Sequence, residues 1–138
     1  MFDKSWTSRE GLKMLQKKVL VVDDEQILSE FMVKGLTMMG DYSVESARNG
    51  QDALEKYKSF LPDIVIMDLE MPIMDGYESS SRIKSFDPKA KILMLTGNPG
   101  HSRAARTIEE GMALTLLSKP VRLMDLNRTI NENLPSCA

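Results

Sequence analysis

The apolar run Ile64–Met67 ends on Asp68, a carboxylate with no cation beside it in the chain. Polar residues follow the other aliphatic runs in the same way. Asp23, Asp24 and Glu25 follow KVLVV (Lys18–Val22), Thr96 follows KILML (Lys91–Leu95), and Ser118, Lys119 and Pro120 follow ALTLL (Ala113–Leu117). Gathered on one rim, Asp23, Asp24 and Asp68 would raise each other's pKa unless a cation lay among them. The ligands on offer are all oxygen, with no His or Cys near, and that set selects a hard ion. Mg2+ suits a site of few carboxylates because it keeps waters and shares itself with phosphate oxygens, whereas no EF-hand spacing for calcium is present. With such an ion held, one carboxylate can attack phosphorus and form an aspartyl phosphate. The phosphoryl charge then needs positioned positive groups. Lys119 is the cation at a run's end, a flexible point charge suited to a phosphate oxygen. Thr96 can donate a hydrogen bond to another oxygen, and Asp68, on the central run, is the acceptor expected.

Each residue alone has an ordinary reading. An Asp after a strand is usually a turn or cap, and Asp23-Asp24 would cap a helix starting near Gln26. Thr96-Gly97 is a turn signal, and Lys119-Pro120 a common approach to a helix. The argument for chemistry is their conjunction, each at the end of a separate buried run.

Those runs need a scaffold. Near-continuous apolarity marks strands covered on both faces, as in a parallel sheet. YSVESA (Tyr42–Ala47) alternates instead and reads as an edge strand with one wetter face. Between the runs lie helical stripes. Leu28, Phe31, Met32, Gly35, Leu36 and Met39 form the first; Ala53, Leu54 and Tyr57 form a shorter one closed by Leu61-Pro62. DGYESSSRIKSF is more polar, with Tyr77 and Ile83 as its anchors, and a helix from about His101 to Glu110 ends at Gly111. Leu123, Leu126 and Ile130 stripe the last helix, which Leu134-Pro135 stops. Five βα units with right-handed crossovers place helices on both sheet faces, a doubly wound α/β fold. Ligands in such folds bind beyond the carboxyl ends of the strands, where the tips of these runs gather.

Composition sets the bounds. A chain of 138 residues, 42 % apolar and 28 % charged, suits one domain with a real core. A net charge of −2 leaves no basic footprint for nucleic acid. The lone cysteine, Cys137, cannot form an internal disulfide, charges interrupt the N-terminus where a secretory core would lie, and no apolar run approaches a membrane span. The expected setting is the cytoplasm. Residues 1–17 stand outside the pattern as an N-terminal extension, partly helical or disordered; Ser8 could cap a helix carrying Leu12 and Leu15, with Trp6 packed nearby. Residues 135–138 form a tail after a domain spanning 18–134. The eleven methionines read as core filler, and His101 as an exposed residue at a helix start.

VLVVDDE at 19–25, NGQDAL at 49–54, PDIVIMDLEMPIMDG at 62–76, ILMLTGN at 92–98 and SKP at 118–120 together resemble the receiver domain of two-component response regulators, over roughly Lys18 to Leu134. The resemblance implies a flavodoxin-like five-stranded parallel sheet in the order 2-1-3-4-5. By position it makes Asp68 the phospho-accepting aspartate, supplied by a sensor histidine kinase or phosphotransfer protein. It makes Asp24 the acid binding Mg2+ directly, Asp23 the one acting through water, and the backbone carbonyl of Glu70 a further metal ligand. Thr96 and Lys119 match the switch hydroxyl and the phosphate-contacting lysine, and the Lys119-Pro120 bond is expected to be cis. The output would be a reshaped surface around the fourth helix, fifth strand and fifth helix, for a downstream protein target or output domain. A phosphorylation-dependent homodimer fits the same scheme, as do a free-standing regulator and a piece of a larger one. The protein would be a signalling switch with only self-catalysed phosphoryl acceptance and slow autodephosphorylation, not a turnover enzyme.

Two departures from the family stand out. Leu116 occupies the place three residues before the lysine where Tyr or Phe is common, and Glu70 puts a carboxylate where the family tunes adduct lifetime. Two rival readings apply to the same residues. One is a pseudo-receiver that binds partners without using phosphate, which the intact acids, Thr96 and Lys119 oppose. The other is a dehalogenase-like phosphoaspartyl phosphatase, since DLE resembles its paired acids, although the short connections leave no room for a substrate-capping insertion.

Overall fold

The computed structural model describes residues 16–134. The expectations for Trp6, Ser8, Leu12, Leu15, the tail and Cys137 lie outside the described residues. Strands β1 (Lys17–Val22), β2 (Tyr42–Ala47), β3 (Ile64–Asp68), β4 (Ile92–Thr96) and β5 (Thr115–Ser118) alternate with helices α1 (Gln26–Met38), α2 (Gly50–Phe60), α3 (Gly76–Phe86), α4 (Ser102–Glu109) and α5 (Leu123–Asn133). All strand pairs are parallel, in the order β2-β1-β3-β4-β5. The doubly wound flavodoxin-like sheet is therefore present as expected. Lys17 belongs to β1, one residue earlier than the sequence pattern placed it.

Alternate residues of the inner strands point to opposite faces, and each face has its own core. Leu20, Val22, Val65, Met67, Ile92 and Met94 pack with Ala53, Tyr57, Ile83 and Ala104, beneath α2, α3 and α4. Val19, Val21, Ile64, Ile66, Leu93 and Leu95 pack with Met32, Leu36, Leu126 and Ile130, beneath α1 and α5. Two-sided burial explains why β1, β3 and β4 carry no polar alternation. ALTLL differs: Thr115, Leu116 and Leu117 are half-buried and Ser118 is exposed, because β5 is the second edge of the sheet. An edge strand has a neighbour on one side only, so its apolar run does not mean full coverage.

The helices deliver two further corrections. Phe31 falls in the expected apolar stripe of α1 but is exposed, as are Ile27 and Met38, so the buried stripe narrows to Met32 and Leu36. The N-cap of α1 is Glu25, whose side chain makes no cap hydrogen bond; Asp23 Oδ1 instead accepts from the Glu25 N–H at 2.8 Å. Ile83 anchors α3 in the core as expected, while Tyr77 is only partly buried. The methionines divide between fully buried positions, Met32, Met67 and Met94, and exposed ones, Met38 and Met124. No helix among the described residues is long and apolar enough to cross a membrane.

Candidate functional site

The polar rim is built by strand ends that run one residue further than apolarity alone indicates. Asp68 and Thr96 are the last residues of β3 and β4, not the first residues after them. Parallel pairing sets Asp68 beside Leu95 and Thr96 beside Ser118. Backbone bonds carry the ladder onward: Asp23 N–H donates to the Ala47 carbonyl at 3.2 Å, Leu69 N–H to that of Leu95 at 2.8 Å, and Lys119 N–H to that of Thr96 at 2.8 Å. These bonds tie the tip of β1 to β2, β3 to β4 and β5 to β4, and β1 pairs with β3 up to Val22 beside Met67, so the side chains at the strand ends share a rim. The Lys119-Pro120 bond is cis, as the resemblance implied.

Gly76 completes the frame. A Cβ there would lie 2.4 Å from the Asp68 carbonyl oxygen and 2.8 Å from Leu69 Cα, both backbone atoms. Only glycine lets α3 start this close to the end of β3. Asp75 caps α3 by accepting from the Glu78 N–H at 2.9 Å, and Arg103 of α4 ion-pairs with the same Asp75 carboxylate.

Lys119 Nζ lies 2.8 Å from Asp68 Oδ1 and 3.7 Å from Asp23 Oδ2. Asp23, Asp24 and Asp68 each bring a carboxylate oxygen within 4.8 Å of the others. Asp23 and Asp68 are buried and Asp24 is exposed, so the group has two fixed ligands and one open side. Burial pushes the Asp68 carboxyl up to about 7; the Lys119 hydrogen bond opposes this and the neighbouring Asp23 charge adds to it. Burial likewise raises Asp23, against the Glu25 N–H bond and the attraction of Lys119. For Lys119, burial works against the ammonium, but its bond to Asp68 and the two acids' charges prevail and its pKa is raised.

Within this group the buried atoms Asp23 Oδ2 and Asp68 Oδ2 have no hydrogen-bond partner. One lysine thus faces two buried acids, with an exposed third acid close by. Unpartnered carboxylate oxygens converging from separate segments fit a divalent, oxygen-preferring cation better than they fit a closed ion-pair network. A cleft opens over Asp23 and Asp24, walled by Ser29, Ser46, Arg48 and Lys56.

The structure brings together Asp23, Asp24, Asp68 and Lys119. Glu25 and Ser118 are exposed at the margin. Thr96 is buried on the neighbouring strand, and its hydroxyl donates at 2.7 Å to Glu70 Oε2. Sequence reasoning did not find that contact; the acid two residues beyond Asp68 was visible, but nothing in its spacing shows where its side chain turns. His101 is the exposed N-cap of α4, accepting through Nδ1 from the Arg103 N–H at 3.1 Å. Tyr77 lies under Arg103 and Arg106, whose guanidinium carbons are 4.8 and 5.0 Å from its ring centroid, and its hydroxyl donates to Glu110.

Comparison with known proteins agrees with this geometry. The model of the response regulator receiver domain matches residues 19–131. The chain is 34 % identical over 119 residues to the chemotaxis protein CheY of Bacillus subtilis (strain 168), covering 83 % of this chain and 98 % of that one. It is 40 % identical over 101 residues to the transcriptional regulatory protein LnrK of the same organism, covering 72 % of this chain but only 46 % of that one. The chain thus spans less than half the length of LnrK. Among solved structures, the response regulator protein TrrA of Thermotoga maritima, in complex with Mg(2+)-BeF, superposes with a TM-score of 0.75 at 32 % identity, over 86 % of this chain and all of that one.

Proposed function

The chain belongs to the response regulator receiver domain family of two-component signalling, and from that premise we propose that Asp68 accepts a phosphoryl group from a sensor histidine kinase or phosphotransfer protein. The observation that carries the reading is the placement of Lys119 Nζ, 2.8 Å from a buried carboxylate whose other oxygen has no partner.

An Asp68 oxygen forms the new bond to phosphorus while the bond to the donor's nitrogen or acyl oxygen breaks, and the leaving group takes that electron pair. Asp68 must be ionised to attack; burial holds its carboxyl at about 7, and Lys119 favours the ionised form against that larger effect. After transfer, the phosphoryl group adds about −1.5 to −2 charge and three strong acceptors to a rim whose one lysine is already in place. Lys119 can turn from the carboxylate to a phosphoryl oxygen with little travel, and Thr96 is the neighbouring hydroxyl donor. Asp23, Asp24, an Asp68 oxygen and the Glu70 backbone carbonyl would hold Mg2+. The ion, when bound, would relieve repulsion between the acids and the incoming phosphoryl oxygens. The Mg(2+)-BeF complex of the similar TrrA supports that assignment.

Movement of Thr96 toward the phosphoryl group would draw Gly97 and Asn98 with it and alter the surface of α4, β5 and α5. Partners would select that arrangement by their differential affinity. The chain would act as a switch in the cytoplasm, without turnover of a small substrate. Incubation with acetyl phosphate and Mg2+, followed by intact-mass measurement, tests the reading. One phosphoryl adduct on the wild type and none on Asp68→Asn is the expected result. Absence of an adduct both from acetyl phosphate and from the cognate kinase would overturn it.

A further inference from the structure

Glu70 spans the acceptor and the switch hydroxyl. Its backbone N–H donates to Asp68 Oδ1 at 3.3 Å, while its carboxylate accepts from the Thr96 hydroxyl at 2.7 Å and from the Gly97 N–H at 2.7 Å. The Thr96 oxygen in turn accepts from the Asn98 N–H at 3.0 Å. A threonine hydroxyl has one proton to donate. In this arrangement that proton is committed to Glu70, and none is left for a group on Asp68.

We propose that Glu70 is a positioning residue that holds Thr96 and the start of the β4–α4 loop in the resting arrangement, and that a phosphoryl group on Asp68 must displace it to recruit the Thr96 hydroxyl. The proposal rests on the reading of Asp68 as phosphoryl acceptor. Two oxygens of one carboxylate hold two donors on adjacent residues, so the clamp fixes the hydroxyl rotor and the loop backbone together. Glu70 itself is exposed, so its side chain has room to swing into solvent when released. The contact sets a threshold: the phosphoryl group gains the Thr96 bond only by replacing a charge-assisted one already made.

The clamp predicts a graded series. Glu70→Gln keeps one acceptor oxygen for the Gly97 N–H but sets an NH2 donor against the Thr96 oxygen, so the Thr96 proton is no longer committed, whereas Glu70→Ala holds neither residue. Binding of beryllofluoride with Mg2+, measured by calorimetry, should tighten from wild type to Gln to Ala. The gain in Ala is expected to be on the order of tenfold, the worth of about one net hydrogen bond to a charged group. Loss of a negative charge near the phosphoryl site would also tighten binding, so the deciding measurement is the same change in a Thr96→Val background. The gain from Glu70→Ala should then fall severalfold. Without any ligand, the amide NMR signals of Gly97 and Asn98 in Glu70→Ala should move toward their beryllofluoride-bound positions. An equal gain in both backgrounds, or unmoved amides, would overturn the clamp while leaving Asp68 as acceptor. No beryllofluoride binding and no phosphoryl adduct on the wild type would overturn both.

Discussion

Burial and ionisation oppose one another at Asp68. Its carboxyl sits at about 7 against an ordinary 3.8, chiefly because it is removed from water. A raised carboxyl takes up a proton on folding, so its support for the fold is full below about pH 4. That support declines as pH rises through the range up to about 7 and levels off above it. Asp68→Asn is therefore expected to raise stability at pH 8 by on the order of 1–3 kcal/mol, with the gain shrinking to a small fraction by pH 4. Urea unfolding at the two pH values checks this; an equal gain at both would mean that ionisation is not its cause. Asp68 was legible in the sequence as a site residue because a carboxylate interrupts an aliphatic run. The Glu70–Thr96 hydrogen bond was not, since a side-chain rotamer and a loop path have no signature in residue order.

The strand β3, the loop after it and α3 form the tightest junction in the rim. Gly76→Ala would press a methyl against the Asp68 carbonyl and Leu69 Cα, backbone atoms with no rotamer to escape into. A loss of about 1–3 kcal/mol is expected from such overpacking, together with slower uptake from acetyl phosphate as the end of β3 shifts. Denaturant unfolding and adduct kinetics read the two effects separately. The same loop carries Ile73 at φ 71°, a backbone region that a β-branched residue rarely adopts, with its side chain fully exposed. Ile73→Gly is expected to stabilise by roughly 0.5–1 kcal/mol, relief of that strain being partly offset by glycine's extra unfolded-state entropy. An unchanged or lowered urea midpoint would show that the isoleucine has packing or entropy in its favour that exposure conceals. In the sequence, MPIMDG marks a turn and a helix start, but the need for glycine comes from a backbone that only folding brings within 2.4 Å.

The site belongs to no single element: three acids and a lysine at or just beyond the ends of β1, β3 and β5 meet only in the folded chain. A cation that binds this arrangement and not the unfolded chain must stabilise the whole domain, by about 2.7 kcal/mol at a hundredfold excess over its dissociation constant. Added Mg2+ is accordingly expected to raise the melting temperature at pH 8 and to slow amide exchange at the ends of β1, β3 and β5 together. Asp24→Asn should remove most of the gain; an Mg2+ effect unchanged by that substitution would place the ion elsewhere. Sequence by itself determined the five βα units, the parallel sheet and the rim residues. Two-sided burial writes unbroken aliphatic runs into the chain, and a polar residue at the end of each is hard to miss. Tertiary structure alone decided how far β5 is exposed, that Phe31 faces outward and that Lys119 reaches Asp68 more closely than Asp23. It also decided that Thr96 gives its proton to Glu70. Those outcomes depend on which segments become neighbours and how far apart their atoms settle, and periodicity along a chain contains neither.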